Sequence, residues 1–222
     1  SGRLPNAVFH EVLTTHGTVP AVISGPSFAN EVALGFPTAL TVGCEDDAET
    51  QQFTDWFRNE RVRVYTSTDL VGIQLGGAIK NVMAIATGIC DGLGLGANAR
   101  AALITRALAE MTRFGIALGG QAKTFSGLTG VGDLLLTATD DQSRNRRLGM
   151  GLGAGGSITK LIKEIGQEIE GINTARVLYE KSRELGIQMP ISEQVYRVIF
   201  DDLDPASAVT TLLGRAPREE TD

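Results

Sequence analysis

The strand-forming pattern in this sequence stops at Thr66 and does not return. Before that point, apolar stretches with helical spacing alternate with short runs rich in β-branched residues. A helical stretch at Asn6–Thr15 leads to strand-like Val19–Ile23, and a short helix is expected at Ser27–Gly35. Strand-like Thr38–Val42, a helix at Ala48–Asn59 opened by Asp46 and Asp47, and strand-like Val62–Thr66 follow. This is the rhythm of a layered α/β sheet. Beyond it, the spacing predicts only helices, near Thr68–Cys90, Ala99–Leu118, Gly130–Thr139, Ser143–Leu152, Ile158–Ile165, Asn173–Leu185, Ile191–Phe200 and Pro205–Leu213. Asn98 is placed to cap one of them and Gly119-Gly120 to end it. The expected fold is therefore α/β followed by all-α, with the division at 1–66 and 67–222. Sixty-six residues are too few for a complete doubly wound sheet, so the first segment reads as the last portion of one.

Composition narrows the functions such a chain can have. A net charge of −6 over 222 residues argues against a broad nucleic-acid surface, because phosphate backbones are held by accumulated positive charge. Cys44 and Cys90 lack CxxC spacing and read as reduced, buried thiols. His10 and His16 stand at the wrong spacing for one helix face to chelate a metal, and no metal is expected. No apolar run is read as reaching the roughly 18–20 residues a membrane span needs, and no basic-then-apolar leader opens the chain, so no membrane span and a cytoplasmic location are expected. Ser1-Gly2-Arg3-Leu4-Pro5 runs directly into an amphipathic stretch, as if the chain began inside a longer one.

Two glycine runs imitate a dinucleotide-binding loop: Gly92-Leu-Gly94-Leu-Gly96 and Gly151-Leu-Gly153-Ala-Gly155-Gly156. That loop works only where a strand delivers the glycines to a helix N-terminus, and both runs follow helices instead. They are expected to end helices. Gly76-Gly77 is different. It lies inside a helical pattern, where each glycine costs roughly 1 kcal/mol against alanine, and it precedes Lys80 by one turn on the same face. The missing side chains either permit tight helix packing, with Lys80 reaching solvent, or open a gap beside its ammonium for a ligand. An ammonium partly withdrawn from water among Ile79, Val82, Met83 and Ile85 gives and takes protons more readily. Asp133 and Thr137 share a helix face one turn apart; Asp133 either favours a helix dipole or orients the lysine. Ser143-Arg144-Asn145-Arg146-Arg147 puts three arginines at a helix start, against the dipole. They either bind an anion there or pair with Asp140 and Asp141 on the surface.

Taken together with Ser24-Gly25-Pro26-Ser27-Phe28-Ala29-Asn30-Glu31 and the segment from Gly96 to Arg106, these motifs resemble the bacterial-type NAD(P)-dependent glycerol-3-phosphate dehydrogenase family, in family order. The resemblance continues through Gly166–Gly171 and Met189-Pro190-Ile191 to Leu212–Arg215. It implies the C-terminal portion of a Rossmann-type dinucleotide-binding domain, then an all-α catalytic and substrate-binding domain like the C-terminal domain of 6-phosphogluconate dehydrogenase. NAD or NADP is the implied cofactor. The implied reaction interconverts dihydroxyacetone phosphate and sn-glycerol 3-phosphate and feeds phospholipid synthesis, and a homodimer is expected.

The same resemblance assigns roles by position. Lys80 matches the catalytic lysine, with Asp133 positioning it. Gly25, Ser27, Asn81, Thr137, Ser143, Arg144 and Asn145 match groups around the substrate, and Ala29, Arg144 and Glu170 match cofactor contacts. The family's glycine-rich loop and a second lysine would precede Ser1, so these 222 residues alone are expected not to turn over. A non-catalytic helical dimerisation or phosphate-ester-binding module and another hydroxyacid dehydrogenase of similar two-domain architecture are the alternatives.

Overall fold

A computed structural model of the chain describes residues 2–13, 18–217 and 219. Ser1 and His16, which entered the readings above, lie outside them. Helix α1 (Pro5–Leu13) leads to a three-stranded sheet of β1 (Ala21–Ser24), β2 (Thr38–Cys44) and β3 (Val62–Ser67), in that spatial order. The central strand β2 is buried on both faces from Leu40 to Cys44, which explains its unbroken apolar and β-branched composition. β1 pairs with it antiparallel, Ala21 opposite Cys44 and Ser24 opposite Thr41. β3 pairs parallel, Thr38 beside Val62 and Gly43 beside Ser67. A parallel pair needs a crossover, and α3 (Asp47–Phe57) supplies it. Asp46 caps α3, its Oδ1 accepting from the Ala48 and Glu49 amides at 2.8 and 3.0 Å. β1 starts later than expected, just after Pro20, which has no N–H to give a ladder. The expected Ser27–Gly35 helix contracts to α2 (Ala29–Ala33).

The rest of the chain is helical. α4 (Leu70–Gly92) forms its axis, and around it lie α5 (Gly96–Ala117), α6 (Ala122–Phe125), α7 (Asp133–Thr139), α8 (Arg144–Gly153), α9 (Ile158–Ile165), α10 (Glu170–Glu184), α11 (Pro190–Phe200) and α12 (Pro205–Leu213). Ile79, Val82, Met83, Ile85 and Ile89 of α4 form one core with Met111 and Phe114 of α5, Leu134 of α7, Leu148 of α8, Leu178 of α10 and Val195 of α11. Gly94 and Gly96, both left-handed, turn the chain so tightly that α5 begins at Gly96; Asn98 therefore sits inside the first turn rather than capping it. α5 ends where expected, with left-handed Gly119 and the Gly120 amide bonded back to the Gly115 carbonyl at 2.8 Å. The predicted Gly130–Thr139 helix is interrupted, because Leu128–Gly132 forms a π-helical turn ahead of α7. Both loop-like glycine runs end helices, as expected.

α4 and α8 approach more closely than helices with side chains at their crossing can. A Cβ on Gly88 would strike the Arg146 carbonyl, and one on Gly149 the Ile85 carbonyl; Gly92 and Gly153 repeat the arrangement one turn on. The spacing Gly-xxx-Gly on both helices, Gly88/Gly92 and Gly149/Gly153, is the sequence signal of this crossing.

One expectation needs correcting. By length and composition α4 is long and apolar enough to cross a bilayer, over 23 residues with Lys80 and Asp91 its charged members. Its apolarity answers to protein, since 67% of its most apolar window is buried within the fold. Cys44 and Cys90 are free and buried, and burial pushes the Cys90 thiol up, aided by Asp91 and opposed by Arg100.

Candidate active site

Lys80 and Asp133, 53 positions apart in sequence, meet: Lys80 Nζ lies 2.5 Å from Asp133 Oδ2. The carboxylate side chain is 4% exposed and the lysine 20%, so the pair is sealed on the aspartate side and open on the other. Asp133 is the first residue of α7, delivered by the π-helical turn, a distortion that recurs at functional sites. Burial pushes its carboxyl above the ordinary range; the Lys80 charge and the hydrogen bonds from Lys80 and Thr137 pull the other way. Thr137 Oγ1 donates to the Asp133 main-chain oxygen at 2.7 Å and stands 3.4 Å from Oδ1. Its hydroxyl thus braces the aspartate within the helix.

The two glycines divide the alternatives raised for them. A Cβ on Gly76 would fall on the Thr129 carbonyl oxygen, so this glycine serves close packing of α4 against the π turn. A Cβ on Gly77 would meet only Ser24 Oγ, at 3.3 Å. Close packing therefore requires Gly76, and no main-chain contact requires Gly77. The Ser24–Ser27 loop comes down on the same region, Pro26 lying 3.7 Å from where a Gly132 Cβ would be. Gly25 has φ +139, a Cβ there would meet the Ala39 carbonyl and Leu40 of β2, and its own carbonyl accepts from Ser27 Oγ at 3.1 Å. Ser24, which opens the Ser24–Glu31 motif, carries no local sign in the sequence that it faces Gly77.

A second cluster joins α4, α8 and α10. Asn145 Nδ2 donates to Asn81 Oδ1 at 3.0 Å, and Asn145 Oδ1 accepts the Gly171 amide at 2.9 Å. Asn145 is buried, and its oxygen is committed to the start of α10. Arg144 and Glu170, the first residues of α8 and α10, are joined at 2.9 Å through Arg144 Nη2 and Glu170 Oε1. Ser143 caps α8, its Oγ accepting the Arg146 amide at 3.2 Å. Ala29 opens α2 on the surface, and no described contact joins it to Lys80. Its helix is nonetheless held near α8 by Gln142 Nε2, which donates to Glu31 Oε1 at 3.0 Å.

The arginine cluster sorts itself by burial. Arg146 is buried, paired to Asp91 at 2.7 Å and to Asp141, and donates from Nε to the Ala138 carbonyl at 3.2 Å. Asp91 also holds Arg100 at 3.0 Å. The expected pairing with Asp141 thus belongs to Arg146. Arg144, one-third exposed and held by Glu170, is left at the helix start facing outward.

A partial α/β sheet that passes into a helical body, with a lysine–aspartate pair below the strand loop, has the architecture of the two-domain NAD-linked dehydrogenases. Glycerol-3-phosphate dehydrogenase from Coxiella burnetii superposes on 96% of this chain and 65% of its own, with a TM-score of 0.91 and 46% identity. The models described as NAD-dependent glycerol-3-phosphate dehydrogenase C-terminus and N-terminus match residues 69–210 and 1–50. The chain belongs to the NAD-dependent glycerol-3-phosphate dehydrogenase family. Its relatives named glycerol-3-phosphate dehydrogenase [NAD(P)+] include those of Thioalkalivibrio sulfidiphilus, 57% identical over 90% of this chain, and Methylococcus capsulatus, 55% identical over 91%. The chain spans 60% of the length of each.

Proposed function

We propose that this chain is the catalytic and substrate-binding part of an NAD(P)-dependent glycerol-3-phosphate dehydrogenase, interconverting dihydroxyacetone phosphate and sn-glycerol 3-phosphate in support of phospholipid synthesis. The observation that carries the reading is the Lys80–Asp133 pair, its carboxylate buried and its ammonium partly exposed. In the reductive direction Lys80 Nζ–H hydrogen-bonds the ketone oxygen and transfers its proton as that oxygen becomes an alkoxide; in reverse the neutral amine takes the proton of the secondary hydroxyl. NAD or NADP, when bound, supplies or accepts the hydride. Lys80 thus acts where charge appears only in the transition state, which is where binding energy accelerates a reaction. Asp133, held by Thr137, keeps the ammonium aimed.

The substrate phosphate is placed at the start of α8, with Arg144 as its forked cation, the first-turn amides beneath it, and Ser143, Asn145 and Asn81 around it. Gly25 and Ser27 close the site from the strand side. Arg144 and Glu170, bonded to each other and partly exposed, suit the cofactor's polar groups, and Ala29 lies on the same side through α2. The division at 1–66 and 67–222, a homodimer and a cytoplasmic location complete the reading.

Steady-state kinetics of Lys80→Ala in the active enzyme test it. General-acid work is worth roughly 10²- to 10⁴-fold, so kcat should fall by that factor with phosphate-ester binding retained. A variant with near-normal kcat removes Lys80 from the chemistry.

A further inference from the structure

The cation assigned to the substrate phosphate is already held by part of the protein. Arg144 Nη2, at the start of α8, lies 2.9 Å from Glu170 Oε1, at the start of α10. Both side chains are near the surface, Arg144 34% exposed and Glu170 48%. Such a pair is weak, because water screens the attraction and two long side chains lose rotamer freedom in making it. Among the described residues no second hydrogen bond holds the Glu170 carboxylate. Asp133 differs on both counts, being 4% exposed and braced by Thr137.

The Glu170 side chain can leave without its helix. The Gly171 amide donates to Asn145 Oδ1 at 2.9 Å, and a Cβ on Gly171 would strike that oxygen, Ile85 Cδ1 and the Asn81 carbonyl. The Glu170 carbonyl accepts from Thr174 Oγ1 at 2.9 Å. The main chain at this point is therefore fixed against α4 and α8, and releasing Arg144 takes only a rotation of the Glu170 side chain into water. A phosphate monoester carries nearly two negative charges at neutral pH. Seated on Arg144, it would crowd them against the carboxylate with one guanidinium to offset both anions, and like charges at such a separation repel. A forked, charge-assisted grip on phosphate is the stronger of the two interactions.

Resting on the placement of the substrate phosphate at Arg144, we propose that Glu170 is a built-in competitor for that site. In the empty protein its carboxylate holds the guanidinium, and a phosphate ester binds by displacing it. Glu170 thereby sets how tightly the site takes phosphate. A carboxylate that instead aimed Arg144 at the phosphate, as Asp133 aims Lys80, would have the opposite effect on removal.

Calorimetric titration of the active enzyme with sn-glycerol 3-phosphate, without cofactor, reads that sign. Glu170→Gln keeps the side-chain length and removes the charge, so affinity should rise roughly three- to tenfold, the worth of an exposed pair together with the repulsion relieved. Glu168→Gln removes the same charge from an exposed position two residues earlier and should change affinity by less than about twofold, since water and salt screen it. Unchanged or weaker binding by Glu170→Gln overturns the proposal. Equal tightening by both variants overturns it too, because the cause is then the overall field and not displacement from Arg144. Arg144→Ala with wild-type affinity would overturn the phosphate placement itself, and the competitor with it.

Discussion

Replacing each of the paired glycines by alanine separates packing from access, because the two positions differ in what a methyl group would meet. In a helix interior alanine is favoured over glycine by roughly 1 kcal/mol, so both substitutions begin with the same gain. At Gly76 the added carbon falls on the Thr129 carbonyl, a main-chain atom of the π-helical turn that cannot rotate aside. Overpacking of this kind costs typically 1–3 kcal/mol, and the move it forces displaces the turn that delivers Asp133. Gly76→Ala should therefore be neutral to about 2 kcal/mol destabilising, and the Lys80–Asp133 distance should lengthen. At Gly77 the methyl meets only the Ser24 hydroxyl at 3.3 Å, which a side-chain rotation relieves. Gly77→Ala should keep or gain stability while raising KM, because the methyl adds bulk one helical turn before Lys80 on the same face. Urea denaturation of both variants and steady-state kinetics in the active enzyme measure the two effects. A Gly77→Ala enzyme with unchanged kinetics, or a Gly76→Ala protein stabilised by the full helix gain, would refute the reasoning.

Other outcomes follow from the ion pairs. Arg144→Ala should lower kcat/KM for dihydroxyacetone phosphate roughly 10- to 150-fold, the worth of about 1.5–3 kcal/mol for a hydrogen bond to a charged group, while unphosphorylated dihydroxyacetone suffers much less; an unchanged ratio of the two returns Arg144 to a partner of Glu170 only. Arg144→Lys should recover part of the loss, because an ammonium keeps the charge without the fork. Glu110, its carboxyl pushed up to about 7 from an ordinary 4.5 mainly by burial, binds its proton more tightly folded than unfolded. Its contribution is therefore fully present below pH 4.5 and is lost as pH rises towards 7, by about 3 kcal/mol in all. The difference in unfolding free energy between the wild type and Glu110→Gln, measured from pH 4 to 8, should fall across that window. A flat difference refutes the assignment.

Much of this fold was legible because its signals are local. Short runs rich in β-branched residues match β2 and β3 within a residue or two at each end, and Asp46 and Ser143 cap α3 and α8 where side chains of that kind are expected. Asp133 and Thr137, one helical turn apart, were joined by geometry that any helix imposes. Failures came where the deciding partner is distant in sequence. Gly76 answers to Thr129, Gly88 to Arg146, and Asn145 to the amide of Gly171, and none of these obstacles leaves a mark near the residue it constrains. Glu110, in the middle of an amphipathic helix, carries no local sign that its carboxylate is buried under α11.

The arginine run shows why spacing alone left the site's chemistry undecided. Arg144 and Arg146 stand two apart, so the helix turns them about 200° from one another, and whichever faces the core must find a buried counter-charge. Asp91, 55 positions back on α4, provides it for Arg146. That pairing requires α4 and α8 to touch, which the glycines at their crossing permit. Once Arg146 is fixed inward, Arg144 is turned to the outer side of the α8 N-terminus, beside Glu170 and next to the Asn145 that ties Asn81 to α10. The packing of two helices thus determines which of these two arginines is available to an anion. Asp91→Asn should consequently disturb discrimination between phosphorylated and unphosphorylated ketones although Asp91 lies within the Arg146 cluster rather than at the phosphate position. An Asp91→Asn enzyme that loses stability but keeps its wild-type ratio of kcat/KM for the two ketones would show that Arg144 is held by Glu170 independently of the buried pair.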